Sequence, residues 1–202
     1  MKRMFQRTIL AVIAAMFIPL MATSQVTAPE SGGPAPANQG PKYEAYAGFG
    51  YTSINQVNQS RYGLIGADLS LTRDCGKYFG LSLMGNYYKP PVESATPGNP
   101  GDPSVYEVLV GPEIHAQIYN TVSGFIHGGF GYAHTGGEAM NPNSSFAGGF
   151  GGGLSYGLSP RWAIRASGDK IGAAYSLIDA LPGYSSHRTW NSSATIGIVY
   201  KF

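Results

Sequence analysis

Charge is scarce in this 202-residue chain. Lys, Arg, Asp and Glu together make up 12%, about half the ~25% of ordinary soluble domains. That is too little to coat a soluble surface, which is usually ~25–35% charged. Cysteine is almost missing: Cys75 stands alone, which excludes an intrachain disulfide and a cysteine-rich metal site. Helical periodicity is absent from Tyr43 onward, and 29 glycines would each weaken a helix by ~1 kcal/mol. A helical bundle is excluded. A long apolar run is lacking too. The longest, Ile9 to Leu20, has twelve residues, short of the ~20 a spanning helix needs.

What is present starts with a targeting signal. Lys2, Arg3 and Arg7 precede the apolar run, and Ala22-Thr23-Ser24 offers small residues before Gln25. This is the layout of a secretory signal peptide over residues 1–24. Removing it takes away three of the thirteen cations and no anion, leaving ten Lys+Arg against eleven Asp+Glu. A mature chain of net charge −1 has no electrostatic motive for binding nucleic acid. Residues 25–41 are rich in Pro, Gly, Ala and Ser and read as a flexible leader. Residues 42–202 form the folded domain.

Alternation dominates that domain. In the last segment Trp190, Ser192, Ala194, Ile196, Ile198, Tyr200 and Phe202 share one face, and Asn191 to Lys201 the other. The pattern recurs over 61–72, 78–88, 104–115, 144–158 and 162–174, and less cleanly over 43–53 and 123–134. Eight strands of about 11–15 residues are longer than the usual 5–6. They match the ~9–11 tilted residues that cross a bilayer. One face of each is apolar; the other mixes Gly and Ser with occasional charges. This predicts an all-β, transmembrane, eight-stranded antiparallel up-and-down barrel with apolar faces toward lipid. The inverted assignment, apolar inside, is a secreted lipocalin-like binder. The connections alternate between long (54–60, 89–103, 135–143, 175–187) and short (73–77, 116–122, 159–161). Long external loops, short periplasmic turns and an even strand count are outer-membrane features.

Three stretches carry a resemblance. Gly149 to Ala166 (GFGGGLSYGLSPRWAIRA) is similar to a Gly-rich strand, tight turn and Trp-x-x-Arg strand. Gly63 to Gly80 (GLIGADLSLTRDCGKYFG) resembles a second hairpin. The chain ends Tyr200-Lys201-Phe202. Together they resemble the OmpA-like eight-stranded outer-membrane β-barrel family, over Tyr43 to Phe202. The resemblance implies outer-membrane location, a lipid environment and recognition of the last strand (Tyr200, Phe202) by barrel-assembly machinery. It covers the barrel only, so the peptidoglycan anchoring of full-length relatives is not expected here.

The candidate site is the barrel interior. Asp68, Glu107, Glu113, Arg165, Asp169 and Lys201 fall on inward faces, with His127 a possible addition. Charges inside a closed barrel must be paired or hydrated, and eight strands enclose little more than their own side chains. An internal polar network is expected, with a narrow gated channel as the alternative. Tyr43, Trp162, Trp190, Tyr200 and Phe202 lie near strand ends and read as aromatic girdles. His115, His127, His134 and His187 fit no metal spacing, and a His-x-Ser pair like that of outer-membrane lipid A deacylases is absent. No cofactor and no catalytic residue is expected. The function expected is structural or interactive, for a monomer displaying four external loops, with membrane-integrity and adhesion roles and an unknown external partner.

Overall fold

The computed structural model describes residues 42–55, 61–91, 104–136, 142–176 and 186–202. The expected signal peptide and leader, and most of the long connections, lie outside the described residues. Eight strands are present: β1 (Tyr43–Asn55), β2 (Arg61–Asp74), β3 (Phe79–Lys89), β4 (Ser104–Gln117), β5 (Val122–Gly136), β6 (Asn143–Gly157), β7 (Trp162–Ser176) and β8 (Ser186–Lys201). Each pairs antiparallel with its sequence neighbour, and β1 pairs with β8 to close the barrel. The fold is the predicted one. Six of the strands run one or two residues past their expected C-terminal ends, because the alternation fades at the rims while backbone pairing continues.

The register defines the barrel's geometry. Starting from His115 on β4, paired positions run through Phe125, Gly153, Ser167, Thr195, Gly50, Gly66 and Tyr88 back to β4 at Val105. One circuit therefore climbs ten residues. Such a stagger requires strands tilted by ~35–45° and leaves an interior that side chains can fill.

The sides are inverted relative to a soluble protein. Leu69, Phe130 and Ile196 point outward and are each 59% exposed, while Asp68, Glu107, Glu113 and Arg165 point inward and are buried. The lipocalin-like assignment is thereby excluded: the large apolar side chains form the outer wall. Short turns 75–78, 118–121 and 158–161 close one end, where Lys42 and Tyr43 also bond the carbonyl of Phe202. We call this the turn end and the opposite rim the loop end. Tyr43, Trp162, Tyr200 and Phe202 cluster at the turn end, the Trp162–Tyr200 rings 4.7 Å apart and Tyr43 stacked on Phe202 at 5.7 Å. Trp190 belongs to the other end, against Phe150. It lies twelve residues from Phe202, ~30 Å along the barrel axis at this tilt.

Candidate functional site

Alternation turns Glu44, Tyr46, Asp68, Glu107, Glu113, Arg165, Asp169 and Lys201 into the barrel, because each shares parity with its strand's buried positions. The stagger then decides which of them meet. At the turn end the Arg165 guanidinium donates to Glu44 at 2.5 Å and to Ser155 Oγ at 2.9 Å, and lies 4.4 Å from the Phe125 ring. Lys201 Nζ reaches the other Glu44 oxygen at 2.8 Å. One carboxylate thus holds two cations. Glu113 accepts from Thr72 Oγ1, which also bonds Ser82, while His115 stands 4.0 Å from Glu113 and 3.9 Å from Asp74.

Midway up the barrel His127 Nε2 contacts Asp169 Oδ1 at 2.6 Å, and Tyr46 Oη donates to Thr195, which pairs with Ser167. Higher still, two tyrosines donate their hydroxyls to acids: Tyr88 to Asp68 at 2.5 Å, and Tyr175 to Glu107. Asn86 Nδ2 gives Glu107 a second bond at 3.3 Å. Neutral O–H and N–H groups thus replace water around two buried carboxylates, which buried acids require.

The interior mixes apolar with polar groups, Thr52, Glu107, Thr135 and Asn191 being buried toward the loop end. Toward the loop end Ile54, Leu64, Val105, Ala133, Ile171 and Tyr175 belong to one buried apolar cluster. A cavity of about 50 Å³ lies in the lumen, bordered by Asp68, His127, Asp169 and Thr195. A shallow bowl of about 380 Å³ opens at the turn end between the second and third turns.

Of the expected interior set, Arg165 and Lys201 meet on Glu44, while Asp68, Glu107, Glu113 and Asp169 each have separate partners. Glu44 did not stand out in the sequence. On β1 aromatic side chains occupy both faces, with Tyr46 inside and Tyr43, Phe49 and Tyr51 outside, so the alternation is blurred there. Its signal was register: Glu44 pairs directly with Lys201. The acid-binding tyrosines were hidden too: Tyr88 ended its segment with no face assigned, and Tyr175 was placed in the connection 175–187, whereas β7 runs to Ser176. His134 and Ser144, directly paired on β5 and β6, hydrogen-bond on the outer wall at 2.8 Å. Among the described residues no carboxylate orients that histidine, so the pair lacks the third group of a hydrolytic triad. Cys75 is an exposed free thiol in the first short turn.

No protein-family profile matches the sequence, and no curated protein matches it either. Solved structures do match. Neisserial surface protein A is similar with a TM-score of 0.63 and 12% identity, covering 80% of this chain and 97% of that one. Ail, the attachment invasion locus protein of Yersinia pestis, is similar at 0.54 and 17%, over 81% of this chain and 100% of that one. The N-terminal β-barrel domain of Pseudomonas aeruginosa OprF is similar at 0.51 and 16%, again over 81% and 100%. The shared feature is the eight-stranded outer-membrane barrel fold.

Proposed function

We propose that this chain resides in an outer membrane as a closed, non-catalytic barrel that acts through its surface, as a structural element and a display platform for its four long connections. The observation that carries this reading is the side-chain-filled lumen. Apolar side chains and hydrogen-bonded or ion-paired polar ones fill it around a cavity of about 50 Å³. Likeness of fold to the attachment invasion locus protein of Yersinia pestis supports a surface role. Export by the N-terminal signal, engagement of assembly machinery through Tyr200 and Phe202, and a monomeric state complete the proposal.

Planar-bilayer recording of the purified, refolded protein tests it. A flat current across a range of voltages is the expected result. Discrete conductance steps would overturn the closed-barrel reading and put a narrow channel in its place.

A further inference from the structure

The barrel interior is short of positive charge. Six carboxylates, Glu44, Asp68, Asp74, Glu107, Glu113 and Asp169, face inward by strand parity. The inward Lys and Arg side chains among the described residues are Arg165 and Lys201, and both are bound to Glu44. His115 and His127 lie against inward acids. Even with both imidazoles protonated, these groups leave more negative charge inside than positive. A buried charge must be paired or hydrated, so the interior calls for a counter-cation.

Asp68 marks the place. It is 5% exposed. Its Oδ1 accepts from Tyr88 Oη at 2.5 Å, and no cation pairs with it among the described residues. Its Oδ2 is buried and has no hydrogen-bond partner among those residues. Protonation does not mend this, because an O–H at Oδ2 would be a buried donor with no acceptor in reach. What satisfies this oxygen must come from the lumen cavity of about 50 Å³, which Asp68 borders together with Asp169, Ser167 and Thr195. At about 10–15 Å³ for each water-sized occupant, that volume takes an ion and one or two waters.

Two glycines make room for the acids of this cavity. A Cβ on Gly50 would stand 2.2 Å from Asp68 Oδ2 and 3.1 Å from Thr195 Cγ2, and one on Gly151 would stand 2.0 Å from Asp169 Oδ1. Both carboxylates thus reach into space that a larger residue would fill. The neutral groups beside them are hydroxyls: Ser167 Oγ lies 2.7 Å from Thr195 Oγ1, which accepts from Tyr46 at 3.1 Å. Carboxylate and hydroxyl oxygens suit a hard cation. The other charged groups on the cavity already have partners. Asp169 has His127 on Oδ1, Glu113 has Thr72 with His115 nearby, and Arg165 is held by Glu44. Asp68 is the carboxylate left to match, and its single charge fits a monovalent ion.

We propose that the mid-lumen cavity binds one alkali-metal cation, Na⁺ or K⁺, on Asp68 Oδ2 with oxygens of Asp169, Ser167 and Thr195. The ion ties β2 to β7 and β8 across the lumen. This site goes beyond the surface role above and does not depend on it.

The test refolds the full mature chain in detergent micelles in NaCl, KCl or N-methylglucamine chloride at equal concentration. The bulky organic cation screens surface charge equally but is too large for the cavity. The temperature at which the fast-migrating gel band is lost should be higher in Na⁺ or K⁺. The gain should grow with alkali-ion concentration, as mass action on a folded-state site requires. Asp68→Asn keeps an acceptor for Tyr88 and removes the charge, so its band should be lost at one temperature in all three salts. Thr195→Val should raise the alkali-ion concentration needed for a given gain about tenfold, the effect of losing one charge-assisted contact. Lys170→Gln, on the outer wall, should leave the gain unchanged. Equal loss temperatures for the wild type in all three salts would overturn the site, as would a gain that survives Asp68→Asn. A wild-type temperature that moves with pH but not with alkali ion would overturn it too, in favour of a proton. Should Asp68→Asn give no folded band, the wild-type salt series and Thr195→Val still decide the matter.

Discussion

Arg165 shows most plainly how one side chain organises this interior. It is buried, bonded to Glu44 and Ser155, and laid over Phe125. Removing one member of a buried ion pair leaves the other charge uncompensated, at about 3–5 kcal/mol. Arg165→Met should fall at the low end of that range, because Lys201 still holds Glu44. Adding Glu44→Met should restore much of the loss, since Lys201 is partly exposed and can turn to water. Denaturant midpoints of the two variants in micelles check this, and a double variant no better than the single would refute the pairing. Glycines give a second contrast at this scale. A Cβ on Gly66 would stand 1.8 Å from the Tyr87 carbonyl oxygen, whereas one on Gly85 meets nothing within 4 Å. Gly66→Ala should therefore cost about 1–3 kcal/mol, and Gly85→Ala should stay within about 0.5 kcal/mol. The same midpoint comparison decides it.

Among the elements, β8 carries the closure. It pairs with β7 along its length and with β1 over ten positions, from Glu44–Lys201 to Ser53–Ser192. Phe202 extends that seam past the strand's end. Its carbonyl accepts from Lys42 and Tyr43, its amide donates to the Tyr43 carbonyl, and its ring stacks on Tyr43 and Tyr200. Deleting Phe202 removes these bonds and a girdle aromatic together. The folded, fast-migrating fraction in membranes should fall, as read by the ratio of unboiled to boiled gel bands. An unaltered ratio would show that neither closure nor assembly depends on the terminal residue. All eight strands were legible as alternation or near-alternation over most of their length. β1 and β5 were the least clear, because each puts aromatic or histidine side chains on both faces: Tyr46 and Phe49 on β1, Phe125, His127 and Phe130 on β5. A pattern based on polarity cannot separate the faces when the interior itself accepts rings.

For the whole molecule the decisive property is the outer apolar belt, bounded by Trp162, Tyr200 and Phe202 at one end and Trp190 toward the other. Ile196 lies near its middle and is 59% exposed. An arginine there would sit in the hydrocarbon and cost about 2–4 kcal/mol. Ile196→Arg should lower the fraction that inserts into vesicles, again measured as the boil-sensitive band. Insertion equal to wild type would mean that this face does not meet lipid. The sequence alone determined the strand count, the antiparallel order, the outward direction of the apolar faces and the inward parity of the acids. Those are local properties, set by a two-residue period and by connection lengths. The partners inside were decided only by the tertiary structure. Glu44 meets Arg165 across 121 positions, Tyr175 meets Glu107 across 68, and an apolar cluster gathered in the loop-end half of the lumen. The reason is the ten-residue stagger, which sets the height of every side chain against its neighbours. Stagger is a property of the closed circuit, and no single strand carries it.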